Sequence, residues 1–130
     1  MKVLALDYGR ARTGVAVSDA TGTLARPVGV VDRVRTPRGL SALVARIAEH
    51  EPERVVVGLP LTLRGEEGGQ ARETRDFVRE LSARCEVPVE LYDERFTTVM
   101  AARTTGAGGD DAVAAAHLLE GYLERLRSAG

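Results

Sequence analysis

Three acidic groups in this chain stand where predicted strands end or a predicted helix begins. Asp7 closes the first predicted strand, Asp93 and Glu94 follow the last strand, and Asp110 and Asp111 open the last helix. Ligands of sheets with parallel strands gather at the carboxyl ends of those strands, so we expect Asp7 and Glu94 to face one crevice. Because clustered carboxylates repel one another, a shared cation would be needed to keep them together.

The ligand chemistry favours a hard divalent ion at this crevice. Carboxylate oxygens without cysteine or a nearby histidine suit Mg²⁺ or Mn²⁺ better than zinc. Two such ions about 4 Å apart can activate water and stabilise the leaving oxygen in phosphodiester cleavage. Each acid also has a structural interpretation that stays open: Asp7 as a turn residue, Asp93 as a partner of Arg95, and Asp110 or Asp111 as a helix cap.

Two arginines follow Asp7 within the same predicted turn. Arg10 and Arg12 could grip a phosphate beside a metal, although a salt bridge inside the turn is an alternative. Two aromatic residues, Tyr8 and Phe96, lie next to proposed ligands and could stack on an unpaired base. Packing in the core is the competing interpretation for both rings, and the favoured one for Phe96.

Other catalytic chemistries lack their sequence signatures. The chain contains no Gly-x-Ser-x-Gly, no Walker loop and no Gly-x-Gly-x-x-Gly. His50 falls at a predicted helix end and His117 lies off the apolar stripe of the last helix, so both are expected to be structural. The single cysteine, Cys85, is expected in the core and leaves no disulfide or zinc site, which favours a reducing cytoplasm.

Hydrophobic periodicity predicts the elements that must position these residues. Alternating or continuous apolar runs predict five strands, at residues 2–7, 13–18, 28–34, 54–58 and 89–92. Repeats of three and four residues predict helices at 37–50, 70–85 and from Asp110 or Asp111 onward, with a short helix at about 97–103. The glycine-rich segment 59–69 is predicted to be a mobile surface loop, and 61–69 is the best candidate for a lid.

This order of elements predicts an α/β architecture. Antiparallel strands come first and parallel crossovers follow, so we expect a mixed five-stranded sheet with helices on both faces. The run Val55-Val56-Val57 is typical of a strand covered on both sides, which we expect at the centre of the sheet. With 130 residues, one domain is expected.

Charge is distributed unevenly along a chain that is nearly neutral overall. The formal net charge is −1, which argues against a polycationic surface over the whole molecule. Residues 1–48 are nevertheless net basic, whereas the remainder is net acidic. Nearly all the cations are arginine, which suits phosphate contact but would also follow from a genome rich in G and C. No apolar run approaches the length of a membrane span.

Four motifs, in order, resemble the signatures of a known family. They are Asp7-Tyr8-Gly9-Arg10-Ala11-Arg12-Thr13-Gly14-Val15-Ala16-Val17-Ser18-Asp19, then Gly58-Leu59-Pro60, then Asp93-Glu94-Arg95-Phe96-Thr97-Thr98, and finally Asp111-Ala112-Val113-Ala114-Ala115. Together they look like the YqgF/RuvX family of RNase H-like nucleases, over residues 1 to about 123.

The resemblance implies an RNase H-like fold, a Mg²⁺ or Mn²⁺ nuclease site and a role in maturing the 5′ end of pre-16S rRNA. It places the family's acidic residues on Asp7, Glu94 and Asp111, which would serve as metal ligands and catalytic residues. Arg10, Arg12 and Arg95 are the expected contacts to the substrate backbone. Nucleic acid is the expected partner, with ribosomal precursor particles as a further one, and the protein is expected to be a cytoplasmic monomer or homodimer.

The chain departs from the family pattern in two places. Residues 106–109 read Gly-Ala-Gly-Gly where relatives often carry Lys and Arg, which removes a phosphate-binding patch. Thr13 stands where an aliphatic residue is common. Alternative functions are a DNA nuclease acting on Holliday junctions or single strands, a non-catalytic RNA- or ribosome-binding module, and, least favoured, an actin-like or sugar-kinase-like ATPase.

Overall fold

The computed structural model describes residues 1–61, 64–93 and 111–129. These residues form five strands and three helices: β1 (Val3–Asp7), β2 (Arg12–Ser18), β3 (Ala25–Asp32), α1 (Pro37–His50), β4 (Arg54–Leu59), α2 (Gly69–Arg84), β5 (Val89–Asp93) and α3 (Asp111–Ala129). The short helix predicted at 97–103 lies outside the described residues. Within the described ranges, no helix is both long and apolar enough to cross a membrane.

The five strands form one mixed sheet in the order β3-β2-β1-β4-β5. Strand β1 pairs antiparallel with β2 and parallel with β4, while β5 extends the parallel part. The predicted architecture is therefore confirmed. The prediction that 54–58 is the central strand is wrong, because β1 holds that place. An apolar run indicates only that a strand is covered on both faces, and β4 is so covered although it lies next to the central strand.

Helices cover both faces of the sheet and create two apolar cores. Leu43 of α1 and Phe77 of α2 pack on one face, against β1 residues such as Leu6. On the other face α3 packs Ala115 and Leu119 against the sheet, and much of the sheet surface there is made of small residues. Because Ala5, Gly14 and Ala16 have little or no side chain, α3 can lie close to the strands.

Helix α1 has the bounds that its sequence predicts. Thr36 Oγ1 accepts a hydrogen bond from the Gly39 N–H at 3.1 Å, which caps the first turn ahead of Pro37. At the other end Glu51 adopts a left-handed conformation, with φ 50°, and its N–H donates to the last turn. Helix α2 begins at Gly69 and ends at Arg84, one residue earlier at each end than predicted.

Strand β3 differs most from its predicted position, beginning at Ala25 and ending at Asp32. A register shift between Val15 and Ala16 allows the edge strand to pair through Pro27, a residue that edge strands tolerate. Arg33 then takes a positive φ of 45°, which ends the strand before Val34.

Candidate active site

Asp7 is the last residue of β1, and its side chain lies on the face of the sheet covered by α3. Val3 and Ala5 pack into the α3 core whereas Leu4 and Leu6 pack into the opposite core, so alternation directs Asp7 towards α3. Asp7 pairs directly with Gly14 of β2. Side chains of directly opposed residues share a face, with Cβ atoms about 5 Å apart.

Asp111 begins α3 and its backbone lies directly on Gly14. A Cβ atom on Gly14 would be 1.8 Å from the Asp111 carbonyl oxygen, which is possible only because glycine has none. Since Asp7 is the strand partner of Gly14 on that same face, the start of α3 and the end of β1 are neighbours. The structure thus brings together two acids that are far apart in the sequence.

Arg12 adds a positive charge to this pair of acids. Its Nε lies 3.2 Å from Oδ2 of Asp111, and the Arg12 side chain is 60% exposed. Arg12 belongs to β2 two positions before Gly14, so strand alternation places both on the α3 face. The guanidinium therefore lies at the solvent side of the site, where an incoming anion could reach it.

The third predicted acid, Glu94, lies outside the described residues, as does Arg95. The described part of β5 ends at Asp93, which is half-buried and pairs with Leu59 at the same edge of the sheet as Asp7. Among described residues no group of three or more potential metal ligands is found. Asp7 and Asp111 supply the hard oxygen donors that Mg²⁺ and Mn²⁺ prefer, so the donor set present fits such an ion.

Arg10 lies on the other side of the sheet from Arg12. Its Nε donates a hydrogen bond of 2.8 Å to Glu73 of α2, and its own side chain remains 84% exposed. The hydroxyl of Tyr8 donates to the second oxygen of the same carboxylate at 2.6 Å. Glu73 therefore fastens the turn that follows Asp7 to α2.

This carboxylate cluster shifts the pKa values of its members. Hydrogen bonds from Arg10, and next from Tyr8, hold the pKa of Glu73 below its ordinary value. Burial raises the pKa of Tyr8, and the hydrogen bond to Glu73 adds to that rise. Sequence reasoning gave Glu73 no role; the available signal was an acid near the start of the helix after the proposed lid.

The suggestion that Tyr8 stacks on a base is not supported. Its ring is buried and stacks on Phe77, with ring centroids 4.6 Å apart, so the core interpretation is the right one. Phe96 lies outside the described residues. Thr13 is also buried, and its hydroxyl lies 3.3 Å from the Gly9 carbonyl oxygen and 3.4 Å from the Gly9 nitrogen, closing the turn between Asp7 and Arg12.

The segment proposed as a lid is held at two of its described positions, Leu61 and Glu67. Leu61 and Glu67 form an antiparallel bridge, and Glu67 makes an ion pair of 2.6 Å with Arg75 of α2. This arginine holds the pKa of Glu67 below its ordinary value. Residues 62 and 63 lie outside the described ranges.

The two histidines and the cysteine lie apart from the acids. His117 Nδ1 is 3.1 Å from Glu120 on its own helix, and His50 ends α1. Cys85 is half-buried rather than fully in the core, where it packs against the α1–α2 side, and burial raises the pKa of its thiol.

The mixed sheet in the order β3-β2-β1-β4-β5, with helices on both faces, has the RNase H-like fold. A solved structure of Thermus thermophilus RuvC in complex with a Holliday junction substrate has this fold, with a TM-score of 0.59 and 21% identity; the match covers 98% of this chain and 97% of that one.

The family itself follows from sequence comparison. The model described as RuvX, Holliday junction resolvase, matches residues 1–125, and the chain belongs to this family. A relative from Chloroflexus aurantiacus is 40% identical over 97% of this chain and 88% of its own length. A second, from Anaeromyxobacter sp. strain Fw109-5, is 42% identical over 95% of this chain and 97% of its own. Both bear the name "Putative pre-16S rRNA nuclease". By family the chain is a hydrolase of the nuclease class.

Proposed function

We propose that this nuclease hydrolyses phosphodiester bonds of RNA in the 5′-end processing of pre-16S rRNA, using Mg²⁺ or Mn²⁺. The names of the relatives support the substrate. The single observation that carries the site assignment is the contact of Asp111 with Gly14, the strand partner of Asp7. Asp7, Glu94 and Asp111 are the proposed metal ligands and catalytic residues.

The described residues suit a site that binds a cation and then an anion. Asp7 and Asp111 present two carboxylates at one edge of the sheet, which a divalent ion would neutralise. When bound, such an ion supplies activated water and charge stabilisation at the leaving oxygen. In-line attack would leave 5′-phosphate and 3′-hydroxyl ends.

Arg12 has a defined part in this proposal. Its guanidinium lies 3.2 Å from Asp111, a proposed metal ligand, and is largely exposed, so it could also contact a substrate phosphate held at the site. Arg10 and Arg95 are further candidates for backbone contact, although Arg10 is engaged with Glu73. Closure of residues 61–69 over the substrate, action on ribosomal precursor particles, a cytoplasmic location and a monomeric or homodimeric state belong to the same proposal.

The proposal is tested by a cleavage panel with end-labelled single-stranded RNA, an RNA spanning the 5′ end of 16S rRNA, single-stranded DNA and a four-way DNA junction. Each is incubated with Mg²⁺ or Mn²⁺ and with Asp7→Asn, Asp111→Asn or the parent protein. We expect metal-dependent RNA cleavage that either variant reduces at least about 10²-fold.

Asp76→Asn is the matched control, because Asp76 is an exposed acid that pairs with Arg79 on α2, which packs on the face of the sheet opposite Asp7 and Asp111. It should retain parental cleavage. Undiminished activity in Asp7→Asn would contradict the site assignment and indicate a contaminating nuclease. Binding of RNA without cleavage under any metal would instead favour the non-catalytic binding module.

Cleavage of a DNA junction is the second candidate function. The family model carries the description of a Holliday junction resolvase, and a similar fold is seen bound to a junction. A resolvase must cut two opposed strands and thus needs two sites related by symmetry. Paired incisions by a dimer, faster than RNA cleavage, would favour this function, whereas a strict monomer in solution would count against it.

A further inference from the structure

Four arginines lie along the edge of the molecule formed by β3 and α1. Arg26 is on β3, Arg33 follows that strand, and Arg38 and Arg46 are on α1; the first three are exposed and Arg46 is half-buried. Within the described part of the chain, none of the four forms an ion pair with a carboxylate. By contrast, arginines elsewhere, such as Arg75, hold an acid of the same chain.

Two clefts connect these arginines. One, of about 350 Å³, is lined by residues that include Arg33, Arg38 and Arg46. The other, of about 520 Å³, is lined by residues that include Arg26, Arg46 and His50. Arg46 lines both clefts, and its Nη1 atom lies 3.1 Å from where a Cβ on Gly29 of β3 would stand. The two clefts therefore adjoin at Arg46, and we name the surface that they form together the β3–α1 groove.

One end of the β3–α1 groove lies at the edge of the sheet that carries the candidate active site, on the α1 face rather than on the α3 face of the two acids. Asp32, the last residue of β3, pairs with Arg12, and the Arg33 N–H donates to the Ala11 carbonyl at 3.0 Å. From there the groove follows β3 back to Arg26, which pairs with Val17 at the other end of the sheet. At about 3.3 Å per residue this is roughly 20 Å, a length that spans several phosphates of a nucleic-acid strand.

We infer that the β3–α1 groove binds the sugar–phosphate backbone of the nucleic-acid substrate beyond the scissile position. This inference rests on the proposed function. Unpaired arginines suit phosphate because a guanidinium forms two parallel hydrogen bonds with it. Asp32 and Glu49 also line the groove, but they leave the four arginines in excess.

The groove reads charge rather than sequence. The described aromatic side chains of Tyr8, Phe77, Tyr92 and Tyr122 are buried, so they offer no stacking platform there. Backbone contact alone gives sequence-independent binding with strong salt dependence.

Binding of a fluorescent single-stranded RNA, measured by anisotropy in EDTA over a range of salt, tests the groove independently of cleavage. The variants are Arg26→Gln/Arg46→Gln and, as a second pair, Arg33→Gln/Arg38→Gln. We expect about tenfold weaker binding for each pair at ~0.1 M salt, and a log–log salt slope smaller by about 1.4, since each lost contact to a single strand removes about 0.7.

Arg79→Gln/Arg127→Gln is the control, because it removes the same charge from two arginines that already pair with acids of their own helices. It should leave affinity and slope near the parental values. In cleavage assays the groove variants should raise KM and leave kcat unchanged at saturating RNA, with an unaltered thermal midpoint.

Equal weakening by the control pair, or unchanged binding in both groove pairs, would overturn the inference. Either result would leave the active-site proposal intact, because that proposal is decided by cleavage in Asp7→Asn. Conversely, the groove variants could bind RNA more weakly while the parent protein cleaves no substrate. That result would support RNA binding by the groove and contradict the proposed nuclease site.

Discussion

Gly14 is the residue on which the geometry of the candidate site depends most directly. It separates Asp7 from Asp111, and the Asp111 carbonyl occupies the space that any side chain at position 14 would need. Asp111 cannot keep its position beside Asp7 if the start of α3 moves away from β2. Gly14, which has no side chain, thus controls the distance between the carboxylates of Asp7 and Asp111.

We predict that Gly14→Ala displaces the start of α3, lowers the free energy of unfolding by about 2 to 3 kcal/mol and reduces cleavage about 10²-fold or more. Urea unfolding and single-turnover cleavage measure the two effects. Gly69→Ala is the stability control, because nothing lies within 4 Å of a Cβ there and a helical alanine is favoured. A Gly14→Ala protein with parental stability would show that the contact is looser than described.

Glu73→Gln should destabilise the protein by about 1 kcal/mol at neutral pH, because the carboxylate that accepts from Arg10 and Tyr8 is lost. Its pKa is depressed in the folded state, so this stabilisation is present above the pKa of an unfolded glutamate, about 4.3, and is lost as pH falls through the folded value. Unfolding curves from pH 7 to 3 should therefore converge. A difference that persists at pH 3 would contradict the assignment.

At this scale the sequence predicted that Asp7 and Asp111 would lie at neighbouring element ends, but it did not predict the residues that hold them there. Asp7 and Asp111 could be predicted because their positions at element ends, and the family motifs, are local features. Gly14 and Glu73 could not, because their importance depends on residues about 100 and 65 positions away that only the fold brings near. Arg10 and Arg12 look equivalent in the sequence, yet strand alternation and the turn send them to different partners.

Helix α3 is the element that completes one face of the sheet and carries Asp111. Besides its apolar contacts, it is tied to the far strands by Tyr122, whose hydroxyl donates to Glu90 of β5 and accepts from Arg54 of β4. Tyr122 also packs edge-on against Tyr92, with ring centroids 5.5 Å apart. These contacts fix the middle of α3, while Gly14 fixes its start.

Tyr122→Phe tests this tie, since it removes the hydroxyl and keeps the ring. We expect the free energy of unfolding to fall by about 1 kcal/mol with cleavage little changed, because the Asp111 end is held separately. Chemical denaturation and the cleavage assay give the two numbers. Loss of activity without loss of stability would mean that the position of Asp111 depends on the middle of the helix.

Element boundaries were predictable where local chemistry sets them. Thr36-Pro37 predicts where α1 begins, and the spacing of its apolar residues predicts which face is buried. Both predictions are confirmed. Strand β3 was misplaced because its limits come from a register shift with β2 and a positive φ at Arg33, which are tertiary features. The central strand was misassigned because burial on both faces does not reveal the order of neighbours.

If Asp7 on the first strand and Asp111 on the last described helix bind one divalent ion, that ion should stabilise the whole molecule. An ion at a hundredfold excess over its Kd adds about 2.7 kcal/mol. We predict that Mn²⁺ raises the thermal midpoint of the parent protein by several degrees and has little effect on Asp7→Asn. Differential scanning calorimetry with and without EDTA measures this; an equal rise in both proteins would place the ion elsewhere.

Contact between Gly14 and Asp111 also has a consequence for biosynthesis. An acid on the first strand and an acid on the last described helix become neighbours only after nearly all the intervening polypeptide has emerged from the ribosome. A partly translated chain therefore lacks the pair of carboxylates on which the proposed metal site depends.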